Sequence, residues 1–274
     1  MERALNLFED MTGSNLYPTD VTFNVLINAC AKRPDYFQAA FDLLEQMQTV
    51  YSFQPDLVTY NTLLSACARS GNLSRAHDIF NIIEEDADHH TFANLFSCYA
   101  NYTPPRVSLT NPSSAIQQQQ QQQQQTQGLV EHTLLSNQLP ERRSAVVAEA
   151  TKIFGSIVSD GRCDINTPLL TAYLSVHVLQ KQSREVMDVY LNMFEKYQVE
   201  RIPKTFSLML QHCYNQRDAD FAWRVWSDYQ EFLDQRQQQQ QQEKDISSAK
   251  RIIEGWAPDQ QRRMTLLMVN TLAR

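Results

Sequence analysis

Apolar side chains recur along much of this chain at spacings of three and four, in short stripes separated by polar breakers. The clearest stripe begins behind Pro55, where Leu57, Tyr60, Leu63, Leu64 and Cys67 fall on one helix face. Gly71 and Asn72 end it, and Leu73, Ala76, Ile79, Phe80 and Ile83 form a second stripe. The pattern predicts a helix–turn–helix unit from Phe53 to Ile83. Neither helix is long enough to be stable alone in water, so each must bury its stripe against a neighbour.

The chain supplies those neighbours. Val21-Thr-Phe-Asn-Val-Leu-Ile matches Val58-Thr-Tyr-Asn-Thr-Leu-Leu, with Asn24 and Asn61 37 residues apart. Thr91-Phe-Ala-Asn-Leu-Phe repeats the start again 32 residues on, with Ala93 in the Asn place, and Thr205-Phe-Ser-Leu-Met-Leu is a later copy. The second helix recurs at Ala4–Met11, Ala40–Met47 and Ala76–Ile83. Two helices per period of about 35 residues predict an all-α, right-handed α-solenoid.

This period divides the chain. Residues 1–102 hold a partial first repeat, two full repeats (about 20–56 and 57–88) and the first helix of a third. Residues 103–140 carry nine consecutive Gln at 117–125 among Ser, Thr, Asn and Pro, and are expected to be a disordered insertion. The insertion falls between the two helices of repeat three, whose second helix is Ala145–Val158. Residues 141–234 hold degenerate repeats, with first helices at Thr167–Val178 and Lys204–Tyr214 and second helices at Arg184–Tyr197 and Asp220–Leu233. Trp223 and Trp226 are expected as packing residues of the last. A Gln-rich linker is expected at 235–245, and helices of a truncated further repeat at 246–274. Both ends read as an array cut in mid-repeat.

Composition narrows the chemistry. Five cysteines (30, 67, 98, 163 and 213) stand apart from one another without ligand spacing, and four sit at one phase of first helices, as small core residues do. A net charge of −7 argues against strong non-specific nucleic-acid binding, which draws on Lys and Arg. No apolar run is long enough to span a membrane, and Met1–Asp10 is an acidic amphipathic helix rather than an Arg-rich leader.

The strings Gln54-Pro-Asp-Leu-Val-Thr-Tyr-Asn-Thr-Leu-Leu-Ser-Ala-Cys and Asp20-Val-Thr-Phe-Asn-Val-Leu-Ile resemble the pentatricopeptide repeat. The resemblance is close over 18–83, looser over 1–17 and 84–102, in phase but weak over 141–234, and not visible after Gln235. Members of that family bind single-stranded RNA, mostly in mitochondria and chloroplasts, and serve its processing, stability or translation. The resemblance implies one base per repeat, read in a concave groove. It implies that Asn24 with Asp56 reads one base and Asn61 with Asp88 the next, with Val21 and Val58 sandwiching them. The Asn–Asp combination implies uracil at both. Ala93, Thr167 and Ser207 stand in the Asn place of the later repeats. A mitochondrial location is likewise an implication of the resemblance.

The alternative is a protein–protein scaffold or assembly factor on the same solenoid, for example one docked on the mitochondrial ribosome. Acidic charge, degenerate later repeats and Gln tracts favour it. The RNA reading expects Lys32, Arg33, Arg69 and Arg75 to gather beside the groove. Scattered glycines form no phosphate loop. No catalytic residues, cofactor, metal or small-molecule substrate are expected. His89-His90 beside Asp86 and Asp88 read as a polar turn rather than a metal site, and Asp56 reads equally well as an ordinary helix cap.

Overall fold

The computed structural model describes residues 1–14, 16–105, 134–136, 138–181 and 183–246. Every regular element among them is helical: α1 (Glu2–Gly13), α2 (Asp20–Ala31), α3 (Phe37–Thr49), α4 (Leu57–Ser70), α5 (Leu73–Ile83), α6 (His89–Asn101), α7 (Arg143–Asp160), α8 (Thr167–Leu179), α9 (Ser183–Asp188), α10 (Pro203–Gln216) and α11 (Ala219–Ile246). A three-residue 3₁₀ turn, Pro34–Tyr36, precedes α3, and α9 runs on through a π-helical turn, Val189–Met193, into Phe194–Lys196. None of these helices is long and apolar enough to cross a membrane. The helices fall into two compact units, residues 1–164 and 165–274.

In the first unit, helical hairpins stack through their first helices. Helix α2 packs on α4 and α4 on α6, while α3 and α5 pack behind α2 and α4 as their hairpin partners. The stripes read from sequence are the core: Phe23, Ile27, Leu63, Leu64, Phe80, Phe92, Leu95 and Phe96 are almost fully buried. Each such side chain contributes about 1.5–3 kcal/mol on burial. Cys30 and Cys67 fill the same register place in successive helices. In α6 that place belongs to Tyr99, and Cys98, although buried, sits one residue earlier, off the expected phase. Burial pushes the Cys67 thiol up to about 12.

Polar side chains fix how far each first helix slides along the last. The final carbonyls of a helix have no intrahelical donor. Arg69, near the end of α4, donates to the Ala31 carbonyl at the end of α2. Asn101, at the end of α6, donates to the Ala68 carbonyl of α4 at 2.8 Å. Gly71 closes α4 in the left-handed region (φ 67°), and a Cβ there would lie 2.9 Å from the Asn101 carbonyl oxygen.

Most of the Gln-rich stretch expected to be disordered lies outside the described residues. Its far end is held firmly: Leu134 and Leu135 are buried, and Glu149 of α7 accepts from the Ser136 amide (2.8 Å) and hydroxyl (2.6 Å). Helix α7 packs on α6, with Phe154 beside Phe96, the place assigned to the second helix of that hairpin. The chain therefore divides at 164/165 rather than at the insertion. A closing loop costs entropy only as the logarithm of its length, so a long insertion leaves a hairpin interface intact. In the same unit, His77 of α5 bonds the Tyr99 hydroxyl at 2.8 Å. Burial holds the His77 pKa below its ordinary value, against the pull of Glu149 and Asp78.

In the second unit α8 packs on α10, α9 on α8, and α11 on α10. Tyr190 sits edge-on to Phe221 and bonds Asp228 (2.9 Å), while Arg201 lies over its ring and donates to its carbonyl. His177 is almost fully buried with neither ring nitrogen paired, and burial lowers its pKa to about 4. Two expectations need correction. Trp223 is 55% exposed, because the buried face of α11 runs through Phe221, Ala222, Val225 and Tyr229 and leaves it outside. Trp226, half-buried, lies at the edge of that face against Tyr229. The linker expected at 235–245 is helical, because α11 continues to Ile246. Gln is a good helix former, and neither Gly nor Pro interrupts 219–246. The helices expected beyond Ile246 lie outside the described residues.

Gly71 and Gly155 offer a paired test of the stacking. Gly71→Ala must place a side chain both at positive φ and against the neighbouring repeat, and is expected to destabilise by about 1–2 kcal/mol. Gly155→Ala, in mid-helix with nothing within 4 Å of its Cβ, is expected to stabilise by about 0.5–1 kcal/mol. Chemical denaturation of both variants checks this; shifts of the same sign would refute the inter-repeat contact.

Candidate nucleic-acid interface

The six residues singled out in sequence occupy equivalent places on successive first helices. Thr19 caps α2, Asp56 caps α4 and Asp88 caps α6. Val21 and Val58 stand two residues past their caps, and Asn24 and Asn61 five past. Both valines are exposed, at 63% and 72%, while the two asparagines are half-buried. Singly exposed valines are ordinary; here the exposure repeats at one register.

Each Asn meets the cap of the next repeat. Asn61 Nδ2 donates to Asp88 Oδ1 at 3.3 Å, and its own Oδ1 is buried without a protein partner. Asp88 Oδ1 also accepts from the Thr91 amide (2.8 Å) and hydroxyl (2.9 Å). Asn24 and Asp56 meet through a third residue. Thr59 Oγ1 lies 2.7 Å from Asn24 Oδ1 and 2.6 Å from Asp56 Oδ1, and Asp56 Oδ1 accepts from the Thr59 amide at 2.7 Å. In both carboxylates these bonds fall on Oδ1 and leave Oδ2 uncommitted. Capping and contact with the Asn are thus combined in one side chain, so the two readings of Asp56 are not exclusive.

Burial alone would raise the Asp88 pKa. The bonds from Thr91 and Asn61 outweigh it and hold the carboxyl below its ordinary range. Asp88 is therefore charged at neutral pH and fixes the Asn61 amide with its nitrogen towards the carboxylate, leaving the buried oxygen unpaired.

The other repeats lack this constellation. Ala93 stands at the Asn place of α6. In α8 the cap is Asn166, so the Asn place is Thr171 and not Thr167, which is the first helical residue and bonds the Glu200 carbonyl. Pro168, near the helix start, and the adjacent Thr had suggested a register four residues too early. Thr171 is almost fully buried and its hydroxyl is 2.9 Å from that of Thr205. Ser207 holds the equivalent place in α10, after the uncapped Ile202.

The cations do not gather as expected. Lys32 and Arg33 are exposed, but Arg69 is tied to the Ala31 carbonyl and to Ser65. Arg75 lies over the Phe41 ring at 4.3 Å and bonds Gln38, which places it among the second helices. Sequence reasoning missed the roles of Thr59, Arg69 and Asn101, which are contacts 33 to 38 residues away in the chain.

Residues 1–33 and 42–87 match the sequence model of the pentatricopeptide repeat domain, and residues 21–49 that of the PPR repeat. Among solved structures, the chain is similar to the pentatricopeptide repeat protein PPR10 from maize, with 16% identity and a TM-score of 0.39 over 82% of this chain and 30% of that one. PPR10 in complex with an 18-nt psaJ RNA element gives 19% identity and a TM-score of 0.34 over 83% of this chain and 37% of that one. The chain thus spans about a third of the length of the structures it matches.

The Asp88 site has a pH signature. A carboxylate with lowered folded-state pKa contributes stability that is complete above its unfolded value of about 3.9 and is lost as pH falls through the folded value. Thermal midpoints measured from pH 6 to pH 2 are expected to fall less steeply below pH 4 for Asp88→Asn than for the parent. Parallel curves would remove Asp88 from the network.

Proposed function

We propose that this chain, whose residues 1–87 are pentatricopeptide repeats, is a single-stranded RNA-binding repeat protein that acts in organellar, specifically mitochondrial, RNA metabolism. The observation that carries the reading is the recurrence of Val, Asn and Asp at one register on two adjacent hairpins. The fold does not need the valines or the Asn61 carbonyl oxygen where they are: the valines face solvent and that oxygen has no partner. An exposed apolar side chain at each step lets a flat base insert between successive hairpins. The Asn amide then meets the base edge with adjacent acceptor and donor groups. Uracil presents N3–H beside a carbonyl oxygen, which complements that pair, so two adjacent uracils are the favoured step.

Magnitudes set the scale of the interaction. Each base contact is worth about 1–3 kcal/mol, so two sites give preference rather than a unique address. With a net charge of −7, phosphate neutralisation contributes little and the salt dependence is shallow. Transcript processing, stability and translation are all served by such binding, and a protein scaffold at the mitochondrial ribosome is the competing use of the same surface.

A U-rich single-stranded oligonucleotide is expected to bind with micromolar affinity at low salt. Asn24→Ala and Asn61→Ala are each expected to weaken it about tenfold, by the contact energies above. Fluorescence anisotropy checks both. Undetectable binding at low salt, or binding indifferent to both substitutions, overturns the RNA reading in favour of the scaffold.

A further inference from the structure

We propose that Thr59 is a positioning residue for the first base site: its hydroxyl relays the hold of Asp56 onto the Asn24 amide, so that three side chains rather than two set the base preference there. The inference rests on the RNA reading above. Thr59 belongs to α4, is only 3% exposed, and reaches across the repeat interface to Asn24 of α2 while bonding the cap of its own helix.

The chemistry of one hydroxyl decides the arrangement. Thr59 Oγ1 has a single proton and two acceptor lone pairs. At 2.6 Å the Asp56 carboxylate, which can only accept, takes the proton in a charge-assisted bond. What remains on Oγ1 is acceptor capacity. The neighbour at 2.7 Å must then be an N–H, because two lone-pair oxygens at that distance repel. The atom at that place in the structure is Asn24 Oδ1, and a flip of the side-chain amide, which exchanges its oxygen and nitrogen, brings Nδ2 to Thr59 and satisfies both partners. In that orientation Oδ1 and the second N–H are the groups left to meet a base.

The second site reaches the same polarity without a relay. Asn61 donates directly to Asp88, and its Oδ1, though buried, has no protein partner. Thr91 bonds only the cap there. Thr59 thus does in the first site what direct contact does in the second. Cytosine, with an acceptor N3 beside a donor amine, needs the amide reversed. With the base position set by Val21 and Val58, that reversal puts the amide oxygen against a hydroxyl whose proton is committed. Thr59 is what makes the reversed amide unfavourable.

The measurement is base discrimination, the ratio of Kd for RNAs carrying C or U at one position, scanned along a U-rich strand and read on the whole chain. The parent is expected to discriminate about tenfold at two adjacent positions, within the energy of a base contact. Thr59→Val is expected to reduce discrimination at one of them to less than about threefold by the same yardstick and to leave the other intact; Thr59→Ala does the same without added bulk, and Thr59→Ser restores it. Thr91→Val is expected to leave both ratios unchanged while lowering the melting temperature through its cap. Unchanged discrimination in folded Thr59→Val or Thr59→Ala overturns the assignment, as does an equal loss in Thr91→Val. A parent chain that binds no RNA overturns the RNA reading itself, and the Thr59 inference with it.

Discussion

The contact on which this molecule depends is the one between successive first helices. A two-helix hairpin of this length buries too little to stand alone. Once α4 lies between α2 and α6, its stripe is covered and its carbonyls find donors in the next repeat. Arg69 and Asn101 occupy equivalent ends of α4 and α6 and reach equivalent carbonyls, those of Ala31 and Ala68. These bonds are individually worth about 1 kcal/mol. Their larger consequence is register: a helix that slid by one turn would leave buried carbonyls unpaired and drive Gly71 into the Asn101 backbone. Because the slide is fixed, Asn24 and Asn61 arrive at corresponding places beside the caps of the following helices.

That constraint also explains why the chain tolerates so much at its loops. The stretch between α6 and α7 carries a polyglutamine run, yet α7 still packs against α6, and Ser136 is bonded by Glu149 as it enters the hairpin. Local order at the two ends of an insertion matters more than its length, since loop-closure entropy grows slowly. The same argument applies to α11, where a second Gln run adds helix because nothing in it breaks one.

What could be read from sequence follows from which signals are local. The period, the helix stripes and the Gly71–Asn72 break depend on neighbours within a few residues, and the structure places them as expected. Asp56 was equally visible as a cap and Asp88 as the residue before the next repeat, and with them the register that groups Val58 and Asn61. Thr171 was not, because Asn166 and Pro168 mark a helix start that Thr167 imitates. Trp223 misled because a large aromatic at roughly helical phase resembles core, and only the observed stripe of α11 shows it one step off. Thr59, Arg69, Asn101 and the His77–Tyr99 pair act across repeats. No periodic pattern distinguishes a Thr that caps from a Thr that also reaches the previous helix.

The cap itself couples helix stability to the orientation of a neighbouring amide. Asp88 stabilises α6 through the Thr91 amide and orients Asn61 with the same oxygen. A substitution that kept helix stability, such as a Ser cap, would still accept from the backbone but would lose the charge that commits the Asn61 amide to donate inward. Conversely, a residue chosen only for orientation would leave the first turn of α6 uncapped. Helix stability and amide orientation are therefore set by one carboxylate at each of these junctions, and neither can drift without the other. Repeats that gave up the carboxylate, as the Ile202 start of α10 does, have no charged group with which to polarise a reader. There the buried Thr171–Thr205 pair closes the Asn place with a neutral contact. Both units thus keep hairpin packing throughout their described helices, while the pairing of a charged cap with an amide is confined to two junctions.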